Sequence, residues 1–209
     1  MSSFSTEFQT DLHDLMRWRR DVRRFRPDPV DEAVLRTCLD TFPLAPSVGL
    51  SEPWRVIRVA SAAARAAALS NFEAANARAL AGYSGEQARL YADLKLSGLR
   101  EAPVQLAVFC DDATPKGAGL GAATMPEMRR YSVVGAVTQF WLAARAQGLG
   151  VGWLSILDPD RLCHDLDIVR DWQLVAYLCV GWPEETSLTP ELESAGWDTR
   201  RNALLLEER

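Results

Sequence analysis

A layered fold of the α/β or α+β kind is what the sequence predicts, and three observations carry that expectation. Helical and strand patterns alternate along the chain, with helix in excess. Four short apolar runs, at 54–59, 103–111, 150–156 and 174–182, have the length and composition of strands. The stretch 126–147 has helical length and is apolar on almost every side, so it must be covered all round. A chain of 209 residues, 48% apolar and 24% charged, has enough apolar material for one domain, 1–209, with a sizeable core. No internal repeat or low-complexity linker divides it.

The first helix is expected over about Thr6–Trp18, where Phe8, Leu12, Leu15 and Met16 share a stripe. PDPVDEAVLRTCLDTF starts a second, capped by Asp28 or Asp31, with Val34, Leu35, Cys38, Leu39 and Phe42 at helical spacing. The loop PLAPSVGLSEP, rich in Pro, Gly and Ser, leads to a strand that alternates from Trp54 to Val59. Ser61–Leu80 is alanine-rich and helical; AGYSG breaks it, and a further helix spans about Gly85–Leu99. PVQLAVFCD is a buried strand that runs into the glycine-rich loop DATPKGAGLGAATMP.

Pro126 suits the first turn of the long apolar helix. From Val133 to Ala146 only Thr138, Gln139 and Arg145 are clearly polar, and Gly135 would allow a close helix crossing. Burial at a subunit interface is one way to cover such a helix, and a central position in a monomer core is the other. GVGWLSI and LVAYLCVGW are the last two strands. Between them Asp158 is placed to cap a helix that Pro159 begins.

Net charge is −5, which argues against a general affinity for nucleic acid or an anionic membrane. No apolar stretch is long enough to span a bilayer. The first residues lack a basic-then-apolar signal pattern, so the expected location is the cytoplasm. Cys38, Cys110, Cys163 and Cys179 are scattered among apolar neighbours without a C-x-x-C pair. They read as reduced core thiols, with no metal site. His13 and His164, the only histidines, fall on surface helices, so a Ser-His-Asp hydrolase has no basis. Enzymatic chemistry in this chain would come from a bound cofactor.

Three segments stand out. RRDVRRFRPDP packs five arginines into the eight positions from Arg19 to Arg26, with Asp21 among them. Several guanidinium forks can share one phosphate dianion; cations at a fraying helix end are the plainer reading. APSVGLSEPW offers small residues for a close backbone approach to a flat ligand, with Ser47, Ser51 and Glu52 as polar groups beside Trp54. GLGVGWLSILDPDRL ends a strand at Ser155, where a hydroxyl would face a cleft or serve a turn. Its glycines are not followed by a helix, so it is not a dinucleotide fingerprint.

Taken in order, RRDVRRFRPDPV, APSVGLSEPWRVIRV, LKLSGLREAPVQLAVFCD, TMPEMRRYSVVGAV, WLAARAQGLGVGWLSILDP and LVAYLCVGWP resemble the nitroreductase-like flavoprotein superfamily. Within it they are most similar to the BluB branch, the 5,6-dimethylbenzimidazole synthases, because aspartate stands at position 21 where nitroreductases carry serine. The resemblance implies an α+β fold, a central mixed sheet flanked by helices, in a homodimer that buries the long helix and binds FMN between subunits. About 61–100 would form a helical lid. Arg19, Arg20, Asp21, Val22, Arg23, Ser47, Glu52, Leu96, Ser155 and Arg200 would contact the flavin, with Asp21 and Ser155 catalytic.

The implied reaction fragments reduced FMN with O2 to 5,6-dimethylbenzimidazole, the lower ligand of vitamin B12, so that flavin is substrate. NAD(P)H would enter indirectly, through a separate flavin reductase as a partner. An FMN-retaining NAD(P)H-dependent oxidoreductase and a non-catalytic flavin-binding dimer are the alternatives. The chain departs from the family pattern at Glu52, where glutamine is usual, and at Ala122, where arginine is usual.

Overall fold

Local capping chemistry sets most helix starts. In the computed structural model, which describes residues 3–201 and 203–209, Ser5 caps α1 (Thr6–Trp18) by accepting from the Phe8 N–H at 3.2 Å. Asp31 rather than Asp28 caps α2 (Glu32–Leu39), taking the N–H groups of Ala33 and Val34. That helix stops before Phe42, because Pro43 tightens the chain into a 3-10 turn over Phe42–Leu44. Ser61 caps α3 (Ala62–Leu80), and α4 spans Gly85–Asp93. Asp158 caps α6 (Pro159–Asp165), and α7 is one turn, Glu191–Ser194.

Two boundaries differ from the sequence expectation. α4 ends at Asp93, well short of Leu99, because the next residues pass flat against Phe25. A Cβ on Gly98 would lie 2.3 Å from that ring, and Arg23 donates to the Lys95 carbonyl at 3.3 Å. α5 (Met128–Ala146) begins after Pro126, whose carbonyl accepts from Arg129 in a preceding turn. Pro126 therefore lies outside the helix it was expected to open.

The strands are β1 (Trp54–Arg58), β2 (Val104–Asp111), β3 (Gly150–Leu154) and β4 (Trp172–Gly181), in the order β1-β2-β4-β3. All three pairings are antiparallel, with Trp54 opposite Cys110, Val104 opposite Val180 and Gly150 opposite Gly181. Among the described residues the sheet is mixed through one parallel bridge, Asp21 with Val151.

Alternation along β2 builds two cores. Val104, Leu106, Val108 and Cys110 face α5, while Ala107 and Phe109 face the side that α3 covers. Gln105, fully buried, donates its amide to the Leu99 carbonyl (2.7 Å) and accepts from the Tyr177 hydroxyl (2.6 Å), so both ends of its own amide are partnered. Burial pushes the Cys110 and Cys179 thiols up to about 12, as suits core thiols.

α5 is sealed on one side only. Val133, Ala136, Val137, Phe140 and Ala144 are buried, whereas Tyr131 and Val134 remain exposed. α1 buries no residue, and its Phe8, Leu12 and Met16 stripe is open. No helix among the described residues is long and apolar enough to cross a membrane.

Candidate active site

After α1 the chain runs extended along the free edge of β3. The Val22 N–H bonds the Val151 carbonyl at 3.0 Å, and the approach is so close that a Cβ on Gly152 would lie 2.2 Å from the Val22 oxygen. Glycine is the only residue that fits there. This docking aims Asp21 at the strand: its Oδ1 accepts the Trp153 backbone N–H at 2.8 Å, and its Oδ2 accepts from Arg23 Nε at 2.9 Å. Asp21, Arg23, Leu96, Gly152 and Trp153 line one small cavity. Leu96 thus shares a cavity with Asp21.

The arginines fan out from this point. Arg20 donates to the Leu188 carbonyl at 3.0 Å, and burial, then the charges of Arg200 and Arg19, lower its pKa. Arg20, Asp21, Val22, Arg23 and Arg24 line an open cleft of about 340 Å3 together with Glu185, Ser187, Thr189 and Glu191. Arg19 sits over the Trp141 ring, 4.8 Å from its centroid. Arg24 pairs with Glu191 within that cleft, while Arg26 pairs with Asp28 on the exposed surface and takes the plain role of a surface charge. A partly buried arginine with further cations beside it suits a dianion, and a flavin phosphate fits this group on that ground.

The second polar segment lies elsewhere. Ser47 Oγ accepts the Glu52 N–H at 3.1 Å, and the Val48 N–H bonds Ser132 Oγ on α5 at 3.1 Å. Ser51 is turned inward, and its hydroxyl finds no partner among the described residues. Leu50 and Glu52 take φ values of 56° and 41°, a left-handed backbone that disfavours side chains and costs about 1–3 kcal/mol each. The loop is braced by 117–121: a Cβ on Gly117 would lie 2.4 Å from the Gly49 oxygen. Lys116 pairs with the Glu52 carboxylate, and Arg55 donates to the Glu52 carbonyl at 3.2 Å.

One chain keeps the two segments apart. Trp141 donates to the Arg20 carbonyl at 3.3 Å, nine residues along α5 from the Ser132 that holds Val48. Nine residues of helix span ~13–14 Å. Ser47 and Glu52 therefore stand at one end of α5, and Arg19–Arg23 at the other. Ser155 lies one residue past β3, exposed, two residues on from the Trp153 N–H that holds Asp21.

Sequence reasoning missed Trp141, Trp153, Lys116 and Asn71. Asn71 is fully buried and clasps Asp158 by both backbone groups, donating to its carbonyl at 2.9 Å and accepting its N–H at 2.7 Å. No motif could announce it, since the contact joins positions 71 and 158.

The Nitroreductase family model matches residues 16–182. The chain is 55% identical, over 95% of its length and 94% of the relative's, to a 5,6-dimethylbenzimidazole synthase of Rhodospirillum rubrum. It is 50% identical, over 93% of its length and 94% of the relative's, to another from Rhodobacter capsulatus. Among solved structures, oxidized iodotyrosine deiodinase bound to FMN and 3-iodo-L-tyrosine superposes with a TM-score of 0.75 at 22% identity. That match covers 95% of this chain and 98% of the other.

Proposed function

The chain belongs to the nitroreductase family, and from that premise we propose that it is a 5,6-dimethylbenzimidazole synthase, which fragments reduced FMN with O2 to make the lower ligand of vitamin B12. The observation that carries this reading is Asp21, a carboxylate fixed by the Trp153 N–H and Arg23 in the wall of a cleft that Arg20 and Arg23 share. The high identity to relatives bearing that name supports it.

Arg20, Arg23 and Arg200 would hold the phosphate, with Arg19 and Val22 beside them. FMN supplies the redox chemistry with O2 when bound. Oδ1 of Asp21 is committed to a backbone N–H that cannot move, so Oδ2 is the atom that exchanges a proton with the ligand once Arg23 turns toward the phosphate. The Ser155 hydroxyl, exposed past the end of β3, would pass a proton on the same side. Leu96 and the segment around it would exclude water.

Ser47 and Glu52 would complete the site from a second copy, in a homodimer that covers the open stripe of α1 and the exposed side of α5. Reduced FMN would come from a separate flavin reductase, with NAD(P)H consumed there.

The protein, given reduced FMN and air, is expected to yield a product with the mass of dimethylbenzimidazole, and Asp21→Asn to bind FMN yet form none. Full recovery of intact FMN after repeated oxidation would sink the proposal. Sustained NAD(P)H oxidation with intact FMN would point to an FMN-retaining reductase instead.

A further inference from the structure

Glu52 is held from every direction. Its N–H goes to Ser47 Oγ, its carbonyl takes Arg55, its carboxylate takes Lys116, and its backbone sits at a φ of 41° that a glutamate adopts only under constraint. An ordinary exposed ion pair needs none of this and contributes little to stability. The placement of Lys116 is equally determined, since Gly117 next to it lies in backbone contact with Gly49, where a Cβ would meet the oxygen at 2.4 Å. Arg55, the other nearby cation, is committed to Asp111 at 2.8 Å, leaving Lys116 as the cation that neutralises the Glu52 carboxylate among the described residues.

We infer that Lys116 is a positioning residue for the flavin: by pairing with Glu52 it keeps that carboxylate from repelling an electron-rich reduced ring, so that this half of the site accepts reduced FMN. The inference rests on the flavin-binding reading above. A carboxylate beside the ligand acts on the two redox states unequally. An oxidised, neutral ring tolerates it, whereas a reduced ring, carrying extra electron density, is repelled unless the charge is balanced. Lys116 supplies that balance without touching the ligand.

The test is a set of anaerobic titrations with oxidised FMN and with dithionite-reduced FMN, on the full chain and three variants. Lys116→Met is expected to weaken reduced FMN about tenfold more than oxidised FMN, equivalent to lowering the two-electron potential of the bound flavin by about 30 mV. Adding Glu52→Gln to Lys116→Met should restore the affinity ratio, because no charge is then left unpaired. Lys116→Arg should keep it. Equal losses for both redox states, or a double variant no better than Lys116→Met, would overturn the role of Lys116. Unaltered protein that binds FMN in neither state refutes the flavin reading itself, a result visible before any substitution is made.

Discussion

Gly152 carries the docking of the Asp21 segment, because the carbonyl of Val22 occupies the space a side chain would need. Gly152→Ala must push residues 19–23 off β3 and break the Asp21–Trp153 bond. Overpacking of this kind costs about 1–3 kcal/mol, a fall of roughly 3–10 °C in Tm for a chain of this size. FMN affinity should fall with it, because the arginines ride on the displaced segment; calorimetry and an FMN titration check the two effects. The arginine run was visible because its members are neighbours in sequence. By itself it favoured a fraying helix end, and the reading as an anion clamp came with the family resemblance. The hydrogen bond that orients Asp21 was not visible, since its donor is a backbone N–H 132 positions away.

At the level of elements, the expected lid over about 61–100 divides in two. α3 is tied down: Ala68 and Phe72 are buried, Arg65 reaches the carbonyls of Val59, Ala102 and Pro103, and Asn71 clasps Asp158. α4 buries only Tyr91. Local opening follows buried contact and protected hydrogen bonds, so the moving part of any lid should be α4 with the segment to about Ser97. Hydrogen exchange is expected to show α3 amides protected nearly as well as β2, and α4 amides exchanging much faster until FMN is added. Equal protection of α3 and α4 in the free protein would contradict this. The alanine-rich pattern of 61–80 announced a helix. Its anchoring rests on Arg65 and Asn71, whose partners lie on other elements.

Over the whole molecule, the open faces of α1 and α5 and the ~13–14 Å of α5 between the two polar segments would have one common explanation in the proposed homodimer. Gly135 gives a direct test. A Cβ added there meets nothing within 4 Å in the single chain, so Gly135→Trp should leave the monomer folded. In a dimer packed on α5 the indole has no room. Gel filtration with light scattering is expected to show a dimer for the unaltered protein and a monomer with weakened FMN binding for the variant. A variant that stays dimeric and binds FMN normally would place any interface elsewhere.

By itself the sequence determined the strand positions, the order of the main elements and the Asp158 cap, because periodicity and capping act between residues a few positions apart. It also marked Arg19–Arg26, Ser47–Glu52 and Ser155 as the segments to watch. Only the tertiary structure decided that α4 stops short for Phe25, that Lys116 answers Glu52, and that the two polar segments stand at opposite ends of α5. Each of these depends on contacts between residues distant in the chain, and such contacts follow from packing rather than from any local pattern.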